Sequence, residues 1–245
     1  MHLEDFENLL QSLFYYPEID EPIITTLLSF GLTSEVSTTF LKIFLMKLSE
    51  NGYENALTKV LKLRPFFDED TGPITRSIYD ALREKHSGIV KIFLNFIKNS
   101  NLNMDAFKPK YTLMTWDEMV RDIFFQACQL EDPNLVKFLL GWDNEGRIKT
   151  DALSNRLSFG SLSRHVIKEI LNSDKAPPIP NSVISRAINN AFWSGYLGVV
   201  HNILTSRRVI NSTDDLNITF FLRGYISVIK TTQNLLQSFL PELPR

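Results

Sequence analysis

The chain is poor in the residues that make stapled folds and tight β-structures. Its 245 residues include one cysteine, Cys128, so no intrachain disulfide can form. Ten glycines and eleven prolines are too few for an all-β chain with frequent tight turns. No run approaches the roughly 20 apolar residues of a membrane span. Neither sign of charge dominates, and a formal net charge of −2 excludes a global field that would draw in nucleic acid or an anionic membrane. The opening residues, MHLEDFENLLQSLF, carry acids where a secretory leader carries Lys or Arg. These absences predict a soluble, cytoplasmic protein.

What is present is ordinary globular material. Hydrophobic residues make up 44% and charged residues 22%, enough for a substantial core. Single prolines at 17, 22, 65, 73, 109 and 133 stand between apolar periodic segments and read as helix punctuation.

One pattern recurs. VVHNIL (199–204) places Val199, Val200, Ile203 and Leu204 on one helical stripe. The same stripe occurs as IITTLL (23–28), ALTKVL (56–61), IVKIFL (89–94), LVKFLL (135–140) and VIKEIL (166–171). Anchored on the second residue, these give Ile24, Leu57, Val90, Val136, Ile167 and Val200, separated by 33, 33, 46, 31 and 33 residues. TTQNLL (231–236) is a weaker seventh candidate, because its stripe opens on threonines.

The residues before each anchor support the period. Nine positions upstream of Val90, Val136 and Val200 stand Ala81, Ala127 and Ala191, each preceded at three by Ile78, Phe124 or Ile188. That pairing lies on one helix face, and the alanine lets a neighbouring helix approach. Gly52 and Gly195 stand five before Leu57 and Val200. There they supply the left-handed residue that ends a helix. In AFWSGYLGVVHNIL the first helix is therefore expected to end near Trp193 and the second to begin near Leu197.

A helix–turn–helix unit of about 33 residues resembles the ankyrin repeat. AFWSGYLGVVHNIL, ALREKHSGIVKIFL with His86, ENGYENALTKVL and ACQLEDPNLVKFLL carry the likeness over roughly residues 10–236. The chain departs from the pattern in three respects. No unit has the Thr-Pro-Leu-His box, none has the Gly-Ala-Asp finger, and the unit at Ile167 lacks both Ala and Gly. The expected fold is all-α: one domain, 1–245, six clear or probable units in a helical-repeat solenoid and C-terminal capping helices at about 216–240. Another α-solenoid and a non-repeat helical domain are the competing architectures. The long interval holds an insertion at about 98–119, with Phe107, Tyr111 and Trp116 beside Lys108 and Lys110. It serves either as a binding loop or as a cover for a helix end.

Chemistry-bearing residues are sparse. Cys128 follows Ala127 and reads as a buried, inert thiol. His2, His86, His165 and His201 form no metal-ligand spacing, and no phosphate loop or nucleophile motif occurs. FDEDTG (67–72) reads as a solvated cap before Pro73. Arg207 and Arg208 suit a helix C-terminus, so nucleic-acid binding is weakly supported. Neither metal nor cofactor is expected.

Solenoids make extended concave binding surfaces, and the resemblance implies that residues ten and seven before the anchor face that side. These are Asp80 and Arg83, Gln126 and Gln129, and Asn190 and Trp193. With Tyr111 and Trp116 they form the expected partner-binding set. Trp193 either anchors a partner or packs on its neighbours. The implied function is a non-catalytic module binding another protein, as adaptor or inhibitor. A host-directed bacterial effector, secreted into the host cell, is one version. An enzyme with a site in the insertion or C-terminal segment is the alternative, and a helical-repeat nucleic-acid binder the second.

Overall fold

The apolar stripes become helices, and every anchor is buried: Ile24, Leu57, Val90, Val136, Ile167 and Val200 each have 1% or less of their surface exposed. The computed structural model describes residues 3–13, 20–31, 37–62, 72–100, 114–148 and 162–206, and among these there are helices and turns but no strands. The expected capping helices at 216–240, Tyr111, Arg207 and Arg208 lie outside the described residues.

The chain divides into two compact units, Met1–Leu130 and Glu131–Arg245. The first holds α1 (Leu3–Leu13), α2 (Glu21–Gly31), α3 (Thr38–Asn51), α4 (Glu54–Leu61), α5 (Gly72–Arg83), α6 (Ser87–Asn99) and α7 (Trp116–Gln129). The second holds α8 (Pro133–Trp142), α9 (Arg164–Asn172), α10 (Asn181–Trp193) and α11 (Leu197–Thr205).

Within each unit the helices pair and then stack like with like. α3 packs on α4, α5 on α6, and α10 on α11. The anchor-bearing helices stack α2 on α4 on α6 in the first unit and α8 on α9 on α11 in the second. Their partners stack α3 on α5 on α7. The alanines sit at these crossings, with Ala81, Ala127 and Ala191 fully buried together with Ile78, Phe124 and Ile188. Phe40 and Phe44, stacked with ring centroids 5.1 Å apart, fill the space beneath α3.

The turn between paired helices is the most regular feature. Gly52 and Gly195 are left-handed, φ 73° and 77°, as the helix-ending role requires. Lys85 and Glu131 adopt the same conformation, φ 64° and 55°, and each also stands five before its anchor. The residue after the turn donates back across it: Tyr53 N–H to Leu48 O (3.0 Å), His86 N–H to Ala81 O (2.8 Å) and Tyr196 N–H to Ala191 O (2.8 Å). This closes one of the carbonyls a helix end leaves open. α10 ends at Trp193 and α11 begins at Leu197, where the sequence places them.

Two boundaries differ from expectation. α6 runs to Asn99 and α7 begins at Trp116, so both ends of the expected 98–119 insertion are helical. The cause at the second edge is a capping box in TWDE. The Thr115 hydroxyl accepts from Glu118 N–H (3.3 Å), and the Glu118 carboxylate accepts from Thr115 N–H (2.6 Å). Trp116 is thereby the first residue of a helix with 5% of its surface exposed. It is a core residue and not a loop aromatic. In FDEDTG, Gly72 opens α5 and the rest lies outside the described residues.

Candidate functional site

The positions ten and seven before each anchor form a row in the first unit, and the row is filled with ion pairs. On α3 they are Lys47 and Glu50, which bond at 2.7 Å. On α5 they are Asp80 and Arg83, bonded at 3.1 Å. Arg83 also reaches across to Glu50 of α3 at 3.4 Å and to Glu84 at 2.9 Å. Arg76 adds a longer contact to Asp80, 3.6 Å. The hydrogen bond to Glu84 first, then the Asp80 charge, raise the Arg83 pKa further.

This corrects one expectation. Asp80 is no open surface position, having 5% of its surface exposed. A carboxylate that close to the core needs its charge matched, and Arg76 and Arg83 supply the match. Arg83 is exposed, but three carboxylates already surround it. On α7, Gln126 is half-buried and Gln129 exposed. The Tyr79 hydroxyl is buried beside the Asp122 carboxylate. Burial, then the nearby Asp122 carboxylate, push its pKa up.

His86 is spent on structure. Its Nε2 lies 3.0 Å from the Glu50 carbonyl oxygen, and its ring covers Gly52. A β-carbon there would stand 2.6 Å from Nδ1. Cys128 is a buried free thiol. Among the described residues no group of His, Cys, Asp or Glu side chains is arranged to hold a metal ion. An open groove lined by Glu21, Thr25, Asn55 and Lys59 runs between α2 and α4. Two of its charged groups, Glu21 and Lys59, are engaged. The Glu21 carboxylate accepts from the N–H groups of Asn55 (2.5 Å) and Ala56 (3.0 Å) at the start of α4. Lys59 donates to Thr25 O (2.9 Å) and to Ser29 Oγ.

The second unit presents the opposite surface. Trp193, in the register of Arg83, has 83% of its surface exposed. Its ring meets Phe192 edge-on at 6.0 Å. Tyr196 and Leu197, just beyond the Gly195 turn, are each 53% exposed. Single exposed apolar residues are common on protein surfaces, but three large ones within five positions form a patch. Asn190, one turn before Trp193, is half-buried. Of the expected pairs, the structure joins Asp80 with Arg83, and it opens Trp193 to solvent.

Tyr196 and Leu197 were not singled out in the sequence, because both sit where the pattern predicts turn and helix start. A signal was available nonetheless. No Asp or Glu occurs between Asp174 and Asp214.

No protein-family model matches the sequence, and comparison with curated proteins and with solved structures finds no match either.

Proposed function

We propose that the chain is a non-catalytic protein-binding module built from divergent ankyrin-like helix pairs, and that the α10–α11 surface around Trp193 seats its partner. The observation that carries this reading is the exposure of Trp193, Tyr196 and Leu197 on adjoining turns. Tryptophan and tyrosine are enriched among interface hot spots, and truncating such an anchor typically costs about 2 kcal/mol or more. The recurrent left-handed turn five residues before four of the anchors and the stacking of like helices support a repeat array. An adaptor or inhibitor needs only such a surface. An endogenous scaffold and a host-directed effector are two settings for the same chemistry. The enzyme reading has less support, because the charged groups clustered around Asp80 and Arg83 are paired with one another. The segments it would rely on lie outside the described residues.

The test is affinity purification with the full chain and with Trp193→Ala, read by quantitative mass spectrometry. A stoichiometric protein partner retained by the native chain and lost by the variant is the expected result. Equal capture by both chains, with helical circular dichroism unchanged, overturns the placement at Trp193. Turnover of a small molecule with no protein partner overturns the binding reading itself.

A further inference from the structure

The Trp193 patch has a definite charge setting. α9 and α11 stack side by side, joined by a hydrogen bond from Asn202 Nδ2 to Arg164 O at 3.1 Å. The Arg164 side chain lies against the start of α11, its Cδ 3.9 Å from where a β-carbon on Gly198 would stand. Lys168 follows one turn along α9, and Arg186 stands two turns before Trp193 on the same face of α10. All three cations are exposed. Among the described residues none of them makes an ion pair.

No acid makes an ion pair with them among the described residues. α10, α11 and the turn between them contain no Asp or Glu. On α9, Glu169 lies 4.0 Å from Lys137. Asp174 stands beyond the end of α9 and makes no ion pair with Arg164 or Lys168 among the described residues. On α8 the nearest acids are Glu131 and Asp132, and the Asp132 carboxylate is committed to Leu135 N–H at 2.9 Å.

The register sharpens the contrast. Glu21 lies 34 residues before Asn55, and Glu54 lies 34 before Gly88, where a β-carbon would stand 1.7 Å from the Glu54 carboxylate. The residue 34 before Gly198 is Arg164. Where α2 and α4 each set a carboxylate against the next helix of the stack, α9 sets a guanidinium.

We infer that this surface takes an acidic protein segment carrying an apolar side chain, which packs on Trp193, Tyr196 and Leu197 while its carboxylates face Arg164, Lys168 and Arg186. This rests on the protein-binding reading and names the chemistry of the partner. Apolar anchors supply affinity, and charge complementarity supplies register and on-rate. Among the described residues three cations flank the patch, fewer than the roughly 6–10 phosphate contacts that make nucleic-acid binding strongly salt-dependent. That favours a peptide over nucleic acid.

The experiment is a display selection of random 12-residue peptides on the immobilised full chain, followed by titration of the enriched peptides as synthetic probes. Enriched sequences are expected to be net negative and to share a Leu, Ile, Phe or Trp. Trp193→Ala is expected to weaken them about 30-fold. The pair Arg164→Glu with Lys168→Glu is expected to weaken them at least about tenfold, and so is Arg186→Glu, at an exposed position. Circular dichroism confirms the fold of each variant. No enrichment, or enrichment of neutral or basic peptides, overturns the inference. Loss with Trp193→Ala but full binding by all charge-reversed variants overturns the acidic segment and leaves the protein-binding reading standing. Indifference to Trp193→Ala removes the inference and the placement of the binding surface at Trp193. Trp193-dependent binding of a 20-nucleotide oligothymidylate, or of phosphatidylserine vesicles, also overturns it.

Discussion

Lys85 at φ 64° and Glu131 at φ 55° hold a conformation that Gly52 and Gly195 hold at 73° and 77°. For an L-residue that region costs roughly 1–2 kcal/mol, while glycine enters it freely and loses more entropy on folding. The balance favours glycine by about 0.5 kcal/mol or more. Lys85→Gly and Glu131→Gly are therefore expected to raise the midpoint of urea unfolding, and lowered midpoints would deny the strain. The reverse change is worse. Gly52→Ala meets both the backbone preference and the His86 ring 2.6 Å away, and an expected loss of about 2 kcal/mol or more follows. Arg164→Glu is a third case at this scale. Gly198 leaves room for a carboxylate there, as Gly88 does for Glu54. The variant is expected to be as stable as the native chain or more so, since an acid at a helix start is worth about 0.3–1 kcal/mol. Thermal melts check it.

At the scale of elements, much of the architecture was legible in the sequence, and the reasons for the rest are physical. Stripes such as VVHNIL announce buried helices because periodicity is set by burial itself. A left-handed turn is legible only where glycine marks it, so Gly52 and Gly195 were readable while Lys85 and Glu131 were not. Asp80 looked like a surface residue because its burial depends on Arg76 and Arg83, which hold its charge. Trp116 looked like a loop aromatic, although TWDE is itself a helix-start signature. That signature carries a prediction for α7. Bonds from the Thr115 N–H first, then from its hydroxyl, lower the Glu118 pKa from its ordinary 4.5. A carboxyl depressed in the folded state contributes stability in full above its unfolded value, and that contribution is lost as pH falls through the folded value. The stability gap between the native chain and Glu118→Gln is therefore expected to be constant well above pH 4.5 and to shrink as the pH falls below it. A gap that stays level across the acid range would remove the cap from the account. Thr115→Ala is expected to cost about 1 kcal/mol.

For the whole molecule, the question is how far a local defect spreads. Helices that stack mainly on sequence neighbours have stabilities that are approximately sums of element and interface terms. Val200 is fully buried in α11, which packs on α9 and α10. Val200→Asp thus buries an unmatched charge and is expected to cost several kcal/mol. With stability falling through the chain from neighbour to neighbour, the loss is expected to centre on the second unit. Amide hydrogen exchange of the variant is predicted to show protection lost across α9, α10 and α11 and retained in α3, α4, α5 and α6. The first unit has its own core, in which Phe44, Leu57, Val90, Phe93 and Phe124 have 1% or less of their surface exposed. Equal loss in every helix would mean that the two units unfold as one, and unchanged exchange would mean that the Val200 stripe is not the core of its unit. The same variant tests the placement of function. A partner or acidic peptide that depends on Trp193 is expected to be lost when α10 and α11 lose their packing, even while the first unit stays folded. Binding that survives in such a half-folded chain would move the interface to the first unit.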